Sequence, residues 1–284
     1  MNIKNVFMIG MPSSGKTTYL ASLCRLLIHG GQETEWKLDI KDVPEGFERV
    51  RKMIKNLNSY QIVERTQGSD FYNIELNLYN QDQKCVQFVV PDSSGEIFRD
   101  LVYDRRMPLN IIDQIIKSDM LLFFINVKTM IPEKRIKLNE KSAIKKVNEK
   151  QGFLDTKCGE MKEKEQQKFN NQSALVELLH SITYLVPHSL KIRFVISAWD
   201  LVEKEFEKDK VTPEEYIKSE LPLLYQYLMF NSKSIDYDIW GVSAQGGDFD
   251  DEEDLLRLQS DNGEDCICVV NSEANKSKDL TKLL

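Results

Sequence analysis

The chain has 284 residues, of which 41% are hydrophobic, enough for a sizeable core, and a net charge of −7. This acidic balance argues against nucleic acid as the primary ligand, because phosphate backbones attract basic surfaces. The five cysteines are an odd number, no basic-then-apolar signal peptide opens the chain, and no apolar run approaches the roughly 18 residues of a membrane span. A soluble protein of the reducing cytoplasm is therefore expected.

The first predicted elements surround a phosphate-binding loop. Residues 10–17 read G-M-P-S-S-G-K-T, which matches the pattern G-x-x-x-x-G-K-[ST]. The apolar run 6–9 before the loop predicts a buried strand, and the apolar spacing of residues 20–27 after it predicts a helix. Backbone N–H groups of such a loop hold phosphate oxygens, Lys16 reaches the β- and γ-phosphates, and Thr17 offers a hydroxyl to Mg²⁺. The residues expected to contact the nucleotide here are Gly10, Pro12, Ser13, Ser14, Gly15, Lys16, Thr17 and Thr18.

Apolar strand patterns alternate with helical patterns along the rest of the chain, which predicts a mostly parallel sheet with helices on its faces. A helix is predicted at 47–57. The period-two run 71–78, the turn residues 80–83 and the run 85–90 predict an antiparallel hairpin at the sheet edge. The later predicted elements are a helix at 109–116, a strand at 120–125, a helix at 174–185, a strand at 192–196, a helix at 213–229 and a strand at 237–242. Together they predict one α/β domain over residues 1–284.

Two segments differ from the rest by their charge. Residues 129–168 are predicted to be a charged, helical insertion, in which residues 132–168 hold eleven Lys or Arg against seven Asp or Glu. This insertion is either a solvated helix or a docking surface for an acidic partner. Residues 245–284 are predicted to be an acidic loop and a C-terminal hairpin, with hairpin strands at 255–258 and 266–270.

A second phosphate-side motif follows the predicted edge hairpin. Residues 92–95 read D-S-S-G, and Asp92, at the carboxyl end of a strand, can hold Mg²⁺, usually through water. The backbone N–H of Gly95 can approach the γ-phosphate, so this loop is able to sense whether that phosphate is present. In the preceding loop, Thr66 is the candidate for a hydroxyl that binds Mg²⁺, with Ser69 as the alternative.

Two further strand ends complete a recognisable order of motifs. The strand at 192–196 leads into S-A-W-D, which ends at Asp200, and the strand at 237–242 leads into Ser243 and Ala244. A phosphate loop, D-x-x-G, a strand-end Asp and a strand-end Ser-Ala, in this order, resemble the small-GTPase-like (TRAFAC) class of P-loop proteins. That resemblance implies a P-loop NTPase three-layer sandwich. It also implies that Asp200 hydrogen-bonds the guanine edge and that the backbone at Ser243 and Ala244 receives the guanine carbonyl.

More narrowly, the sequence is similar to the bacterial double-GTPase-type domains, in the blocks G-K-T-T-Y-L, D-S-S-G-E-I-F, A-W-D-L-V and W-G-V-S-A-Q-G-G-D. Those domains occur in multi-gene GTPase-associated defence systems. The resemblance therefore implies a GTPase that uses Mg²⁺ and GTP and acts with other proteins of a multi-component antiviral system. It also allows a nucleotide-dependent dimer.

The sequence departs from the class at the guanine motif N-K-x-D, which here reads Ser197-Ala198-Trp199-Asp200. The lysine whose stem lies over the base is absent, and so is the asparagine that braces the phosphate loop. Ser197 can hydrogen-bond that loop instead, and Trp199 either stacks on the base or packs in the core. These changes weaken the inference of guanine selectivity, so ATP stays open as the nucleotide.

The expected catalytic residues also depart from the common pattern. Glu96 follows D-x-x-G, where many GTPases carry a water-orienting Gln, and it either orients the attacking water or pairs with Arg99. Arg105 and Arg106 lie in the segment that would move between nucleotide states, and one of them is either an arginine finger in cis or a solvated side chain. With Lys16 to neutralise phosphate charge, these residues predict slow hydrolysis by the isolated protein and faster hydrolysis with a partner.

The patterns favour a Mg²⁺-dependent GTPase that acts as a molecular switch. An ATP-binding or a non-hydrolysing nucleotide-binding module is the alternative that Glu96 and the altered base motif favour. A P-loop kinase would need a lid with arginines, and the insertion at 129–168 contains Arg135 alone.

Overall fold

The computed structural model of the protein describes residues 3–29, 33–38, 47–61, 73–91, 95–130, 172–186, 190–206, 211–260 and 266–284. Some predictions lie outside these residues. They are the two candidate Mg²⁺-binding hydroxyls, Thr66 and Ser69, the carboxylate of Asp92, and the charged insertion beyond residue 130.

The described residues form nine strands and nine α-helices. The strands are β1 (Ile3–Gly10), β2 (Lys37–Leu38), β3 (Asn73–Tyr79), β4 (Cys85–Pro91), β5 (Met120–Asn126), β6 (Leu190–Ser197), β7 (Ile235–Ser243), β8 (Cys268–Val270) and β9 (Lys276–Ser277). The helices are α1 (Lys16–His29), α2 (Phe47–Asn58), α3 (Glu96–Asp104), α4 (Leu109–Lys117), α5 (Gln172–Leu185), α6 (Trp199–Glu205), α7 (Pro213–Glu220), α8 (Pro222–Phe230) and α9 (Glu252–Ser260). None of the helices in the described part of the chain has the length and apolar character needed to cross a membrane.

All the strands belong to one sheet, in the order β2-β3-β4-β1-β5-β6-β7-β8-β9. The five central strands, from β4 to β7 in this order, run parallel to one another. At the two ends of the sheet, β2 and β3 and then β8 and β9 pair antiparallel. The expected mostly parallel sheet with an antiparallel hairpin near one edge is confirmed.

Helices cover both faces of the sheet, as the near-continuous apolar strands predict. Alternation along β1 places Phe7 and Ile9 in the core on one face and Val6 and Met8 in the core on the other. Residues of α3 to α8 pack on the first face, and residues of α1 and α2, with the last residues of the chain, pack on the second. The result is the three-layer α/β/α sandwich of a P-loop NTPase.

The single helix predicted at 213–229 is wrong, because two helices, α7 and α8, occupy this stretch. They meet at Leu221, whose φ of −124° and ψ of 53° are not helical. Pro222 follows it, and a proline ring disfavours the helical conformation of the preceding residue and has no N–H to continue the ladder. The proline instead becomes the first residue of α8.

The strand predicted at 255–258 is also wrong, since these residues belong to α9, and the described part of the acidic segment, residues 245–260, is therefore not simply a loop. Asp251 accepts a hydrogen bond from the N–H of Asp254 at 2.9 Å, and acidic residues fill the first turn, where the helix dipole favours them. Leu258 is fully buried against α1 and α2. The C-terminal hairpin lies further along, between β8 and β9.

The central strands bring their carboxyl ends to one edge of the sheet. The phosphate loop follows β1, Gly95 follows β4, Asn126 ends β5, Asp200 follows β6 and Ser243 ends β7. In open α/β sheets this edge is where ligands bind.

Candidate nucleotide-binding site

The phosphate loop connects β1 to the first turn of α1. Lys16 is buried there, and its Nζ donates hydrogen bonds to the carbonyl oxygens of Gly10, at 2.7 Å, and Met11, at 2.8 Å, and to the hydroxyl of Ser14, at 2.9 Å. Burial lowers the pKa of Lys16 to about 7. Because its partners are neutral, the charge of this ammonium group is poorly compensated. A phosphate anion at the loop would therefore gain a charge-assisted contact.

A side chain at the end of β6 forms a hydrogen bond to the phosphate loop. Ser197 Oγ donates a hydrogen bond to the carbonyl of Ser14 at 2.9 Å, which confirms the loop contact expected of this serine. Gly15 has a φ of +91°, and a Cβ on it would lie 2.6 Å from Ser197 Oγ. A residue without a side chain is therefore required where the helix starts against the strand end.

Asn126 is a loop contact that the sequence patterns did not predict. Its Nδ2 donates a hydrogen bond to the carbonyl of Ser13 at 2.9 Å. The available signal was a polar residue ending the apolar strand M-L-L-F-F-I-N, directly in register with Ser197 on the neighbouring strand. Thus two adjacent strand ends each brace one carbonyl of the phosphate loop.

Gly95, the glycine of D-x-x-G, lies directly against the phosphate loop. A Cβ on Gly95 would lie 2.4 Å from the backbone nitrogen of Pro12 and 2.5 Å from the carbonyl carbon of Met11. The two loops can approach this closely only because residue 95 has no side chain. Gly95 also precedes α3, so a change at this contact would be transmitted to the start of that helix.

The base side of the site joins the ends of β6 and β7. Asp200 lies half-buried in the first turn of α6, and its Oδ1 accepts a hydrogen bond from the hydroxyl of Ser243 at 2.8 Å. Burial raises the pKa of Asp200, and the Ser243 hydrogen bond opposes this shift. The carbonyl of Ala244 accepts a hydrogen bond from the hydroxyl of Ser22 on α1, which ties this strand end to the helix that follows the phosphate loop.

The placement of Trp199 decides between its two predicted roles, stacking on the base and packing in the core, in favour of the core. Its side chain is 1% exposed, and its ring meets that of Tyr216 edge-on at 5.9 Å. A Cβ on Gly241 would lie 2.4 Å from the indole, so β7 packs directly on this ring. Ala198, with a φ of +57°, turns the chain so that Trp199 enters the core and Asp200 starts the helix. A ring buried to this degree has no face left for a nucleotide base.

The remaining residues of the phosphate-loop stretch are half-buried. Pro12 and Ser13 lie in the loop itself, and Thr17 and Thr18 lie in the first turn of α1. Within the described part of the chain, no group of three or more His, Cys, Asp or Glu side chains forms a metal site. A Mg²⁺ ion held by Thr17, water and nucleotide phosphates fits these residues, because Mg²⁺ is usually bound by few protein oxygens together with substrate phosphates.

Apart from Lys16, the predicted catalytic side chains form no hydrogen bond or ion pair with the phosphate loop in the described part of the chain. Glu96 is exposed at the start of α3, and Arg99 donates a hydrogen bond to Asp100, at 3.2 Å, instead of pairing with Glu96. Arg105 ends α3 in the left-handed conformation and forms an ion pair with Glu177 on α5. The exposed Arg106 follows it. In this arrangement α5 holds the guanidinium group of Arg105.

Lysine and arginine side chains anchor the acidic segment beside the base side of the site. Lys128, just after β5, forms an ion pair with Asp248. Asp254 is buried and forms ion pairs with Lys204 of α6 and with Arg257 of its own helix. This part of the C-terminal segment is therefore tied to the ends of β5 and β6, although its composition suggested only a loop.

Comparison with known protein families identifies one match. A family model described as Double-GTPase 1 matches residues 7–284 of the chain. No curated protein is detectably similar to the chain in sequence.

Solved structures of similar shape include the GTPase-like domain of Ski7 from S. cerevisiae, bound to GTP. Its TM-score is 0.38 at 11% identity, with 86% of this chain and 43% of that chain covered, so the protein spans less than half of the Ski7 chain. The Arl6 BBS3 small GTPase from Trypanosoma brucei, with bound GppNp, has a TM-score of 0.35 at 14% identity, with coverages of 91% and 96%. The mammalian SRP receptor has a TM-score of 0.38 at 11% identity, with coverages of 89% and 98%.

Proposed function

The chain belongs to the Double-GTPase 1 family, and from this premise we propose that it is a Mg²⁺-dependent GTP-hydrolysing switch. It is a small-GTPase-like domain with a P-loop fold, and the proposed switch acts within a multi-protein bacterial system of the defence type. The single observation that carries the proposal is the buried ammonium of Lys16, which has only neutral acceptors around it. Gly95, of the D-x-x-G motif, lies against the backbone of the same phosphate loop.

Phosphate binding is assigned to the loop and to Lys16. The ammonium group would exchange its neutral carbonyl and hydroxyl partners for phosphate oxygens, and this exchange offsets the cost of its burial. When bound, Mg²⁺ would neutralise part of the charge on the phosphates. Thr17 is the described residue proposed to hold this ion, and Asp92 is proposed to do so through water.

Base recognition is assigned to Asp200, Ser243 and Ala244. Two neighbouring N–H donors lie on the guanine edge, and a carboxylate accepts both, whereas the adenine edge presents a ring-nitrogen acceptor beside its amino group. The hydroxyl of Ser243 fixes one oxygen of Asp200 at 2.8 Å, which orients the carboxylate before a base arrives. This arrangement favours GTP over ATP, although the lysine that covers the base in the class is missing.

Switching is assigned to the contact between Gly95 and the backbone of Met11 and Pro12. If the backbone N–H of Gly95 binds a γ-phosphate, that phosphate lies between the phosphate loop and the loop that contains Gly95. The backbone of Gly95 must then shift relative to Met11 and Pro12. Because Gly95 leads directly into α3, the start of this helix reports the change.

Hydrolysis is proposed to be slow in the isolated protein. Glu96 is exposed and Arg105 is engaged by Glu177, and among the described residues neither side chain forms a hydrogen bond or ion pair with the phosphate loop. A correctly placed arginine is worth ~10³–10⁵ in rate. A partner that releases Arg105, orders Arg106 or supplies its own arginine would therefore activate the enzyme.

Single-turnover hydrolysis tests the proposal. Purified protein is mixed with GTP or ATP, with and without Mg²⁺ and with and without proteins that co-purify with it. We expect Mg²⁺-dependent hydrolysis of GTP that is slow alone and faster with partner. Binding of GTP without any hydrolysis, even with partner, would instead support the non-hydrolysing module that the exposed Glu96 and the altered base motif favour.

The variants Arg105→Ala and Arg106→Ala locate the activating arginine. Loss of partner stimulation in one of them identifies a finger supplied in cis, and stimulation retained in both points to an arginine from the partner. Fast hydrolysis by the wild-type protein alone would contradict the partner-activated switch.

A further inference from the structure

We propose that Asn126 is a positioning residue for the nucleotide phosphates: its amide, together with the hydroxyl of Ser197, holds two successive peptide groups of the phosphate loop with their N–H groups directed at the phosphate site. This inference rests on the proposed nucleotide binding and names a residue outside the motifs that predicted it.

The orientation of the Asn126 amide is determined by its two partners. Its Oδ1 accepts a hydrogen bond from the N–H of Lys128 at 2.9 Å, and its Nδ2 donates to the carbonyl of Ser13 at 2.9 Å. A backbone N–H can only donate and a carbonyl can only accept, so the opposite orientation of the amide would break both contacts. The side chain is thereby fixed between the end of β5 and the loop.

The consequence for the loop follows from the geometry of a trans peptide, in which the C=O and N–H groups point in opposite directions. When Asn126 holds the carbonyl of Ser13 on the side of β5, the N–H of Ser14, in the same peptide group, is directed away from Asn126. This N–H donates to the carbonyl of Met11 at 3.3 Å, and the ammonium of Lys16 donates to that same oxygen at 2.8 Å. The N–H of Ser14 and the ammonium of Lys16 thus converge on the carbonyl oxygen of Met11, which a phosphate oxygen would replace in the proposed complex.

Ser197 acts on the next peptide group in the same way. Its hydroxyl donates to the carbonyl of Ser14, so the N–H of Gly15 is directed away from β6. Asn126 and Ser197 lie side by side in the parallel pairing of β5 and β6. Two short side chains on adjacent strands therefore share the bracing that a single asparagine of the N-K-x-D motif performs in the resembling class.

The test compares three variants in the full chain. Asn126→Asp keeps an oxygen for the N–H of Lys128 but cannot donate to Ser13, and Ser197→Ala removes the second donor. The matched control is Thr129→Val, which breaks a hydrogen bond from Thr129 Oγ1 to the carbonyl of Asn126, at 3.0 Å, in the same turn without touching the loop. Thermal melting without nucleotide verifies that each variant is folded.

Dissociation rates of fluorescent GTP and GDP analogues give the first readout. Loss of one neutral hydrogen bond corresponds to about a three- to tenfold change. We therefore expect Asn126→Asp and Ser197→Ala each to accelerate dissociation of GTP and GDP by about this factor. Because the contacts lie on the phosphate side, the preference between GTP and xanthosine triphosphate should not change. Thr129→Val should stay within about twofold of wild type.

Amide NMR signals give a second readout that a general loss of stability would not produce. With selective ¹⁵N labelling of serine and glycine, nucleotide binding should shift the Ser14 amide less in Asn126→Asp, and the Gly15 amide less in Ser197→Ala. If the wild-type protein binds GTP but Asn126→Asp shows wild-type amide shifts and wild-type dissociation rates, this inference is overturned. The proposed function would not be affected by that result. A wild-type protein that binds neither GTP nor ATP would overturn the proposed function and this inference with it.

Discussion

The phosphate side of the site is built from one continuous stretch, residues 10–17, whereas the base side combines Asp200, Ser243 and the backbone of Ala244 from the ends of two strands. On the phosphate side, backbone groups and one lysine are proposed to bind the nucleotide, and neighbouring strand ends hold the loop by hydrogen bonds at 2.9 Å. On the base side, a single carboxylate depends on one serine hydroxyl.

This difference predicts that the two sides tolerate sequence change differently. A phosphate is bound mainly by the backbone, so the loop needs its glycines and lysine but not a particular brace. Base recognition depends on side-chain donors and acceptors, so each lost motif residue removes selectivity. We expect substitutions on the phosphate side to affect all nucleotides alike and those on the base side to change the choice among them.

The largest expected effect is loss of nucleotide binding in Lys16→Ala. Removal of the only loop ammonium eliminates several charge-assisted hydrogen bonds, each worth about 1.5–3 kcal/mol, so GTP and ATP affinity should both fall more than about a hundredfold. The fold should remain intact. Calorimetry measures the affinities, and Lys117→Ala, at an exposed position on α4, is the control. Wild-type affinity for either nucleotide in Lys16→Ala would contradict the assignment of the phosphate side.

A large effect on stability alone is expected for Trp199→Ala. Truncation of a large buried aromatic costs about 3–5 kcal/mol in the free energy of unfolding. Urea denaturation measures this cost, and Trp199→Phe should lose less. Tyr184→Ala, which removes an aromatic ring that is 86% exposed, is the control and should change little. If Trp199→Ala kept wild-type stability but bound GTP more weakly, the base-stacking role rejected above would be restored.

Asp200→Asn should change the choice of base. Loss of a charge-assisted contact worth about 1.5–3 kcal/mol weakens GTP binding roughly ten- to a hundredfold. The amide suits the edge of xanthine, so affinity for xanthosine triphosphate should increase. Asp113→Asn, at an exposed position on α4, is the control for loss of one carboxylate. Unchanged GTP affinity, or tighter wild-type binding of ATP than of GTP, would remove the guanine assignment.

The smallest expected effect is a pH dependence that belongs to the phosphate side alone. The pKa of Lys16 is about 7 without nucleotide, and a bound phosphate raises it, so binding takes up a proton above pH 7. Affinity should fall by up to about tenfold between pH 7 and pH 8. Calorimetry in buffers of different ionisation enthalpy measures the proton uptake. Lys16→Arg, which stays charged, should bind without it, and equal uptake by both proteins would contradict the assignment to Lys16.

Lys16 also makes the free energy of unfolding depend on pH. The pKa of Lys16 is lowered from the ordinary 10.5 to about 7 in the folded protein. Between these values the unfolded chain binds the proton and the folded protein does not, so this group increases the free energy of unfolding as pH rises from 7 to 10.5. Below pH 7 the buried ammonium is charged in the folded protein, and that gain is absent.

The pattern of local hydrophobicity predicted most of the sheet but not the elements whose pattern is short. The strand at 120–125 and the helix at 174–185 were predicted within two residues of their bounds, because each is long and strongly apolar on the buried face. The stretch 255–258 is too short for periodicity to separate strand from helix. Its helical state depends on the cap by Asp251 and on burial of Leu258 against other helices.

By itself, the sequence determined the phosphate loop and the order of motifs, because glycines and a lysine at fixed spacing act within one turn of chain. Only the tertiary structure decided which polar residues reach that loop and which aromatic is buried. Asn126 braces the loop because β5 lies beside both β1 and β6. Trp199 is core because β7 approaches it at Gly241. Neither contact can be read locally, since both depend on strand pairing between distant parts of the chain.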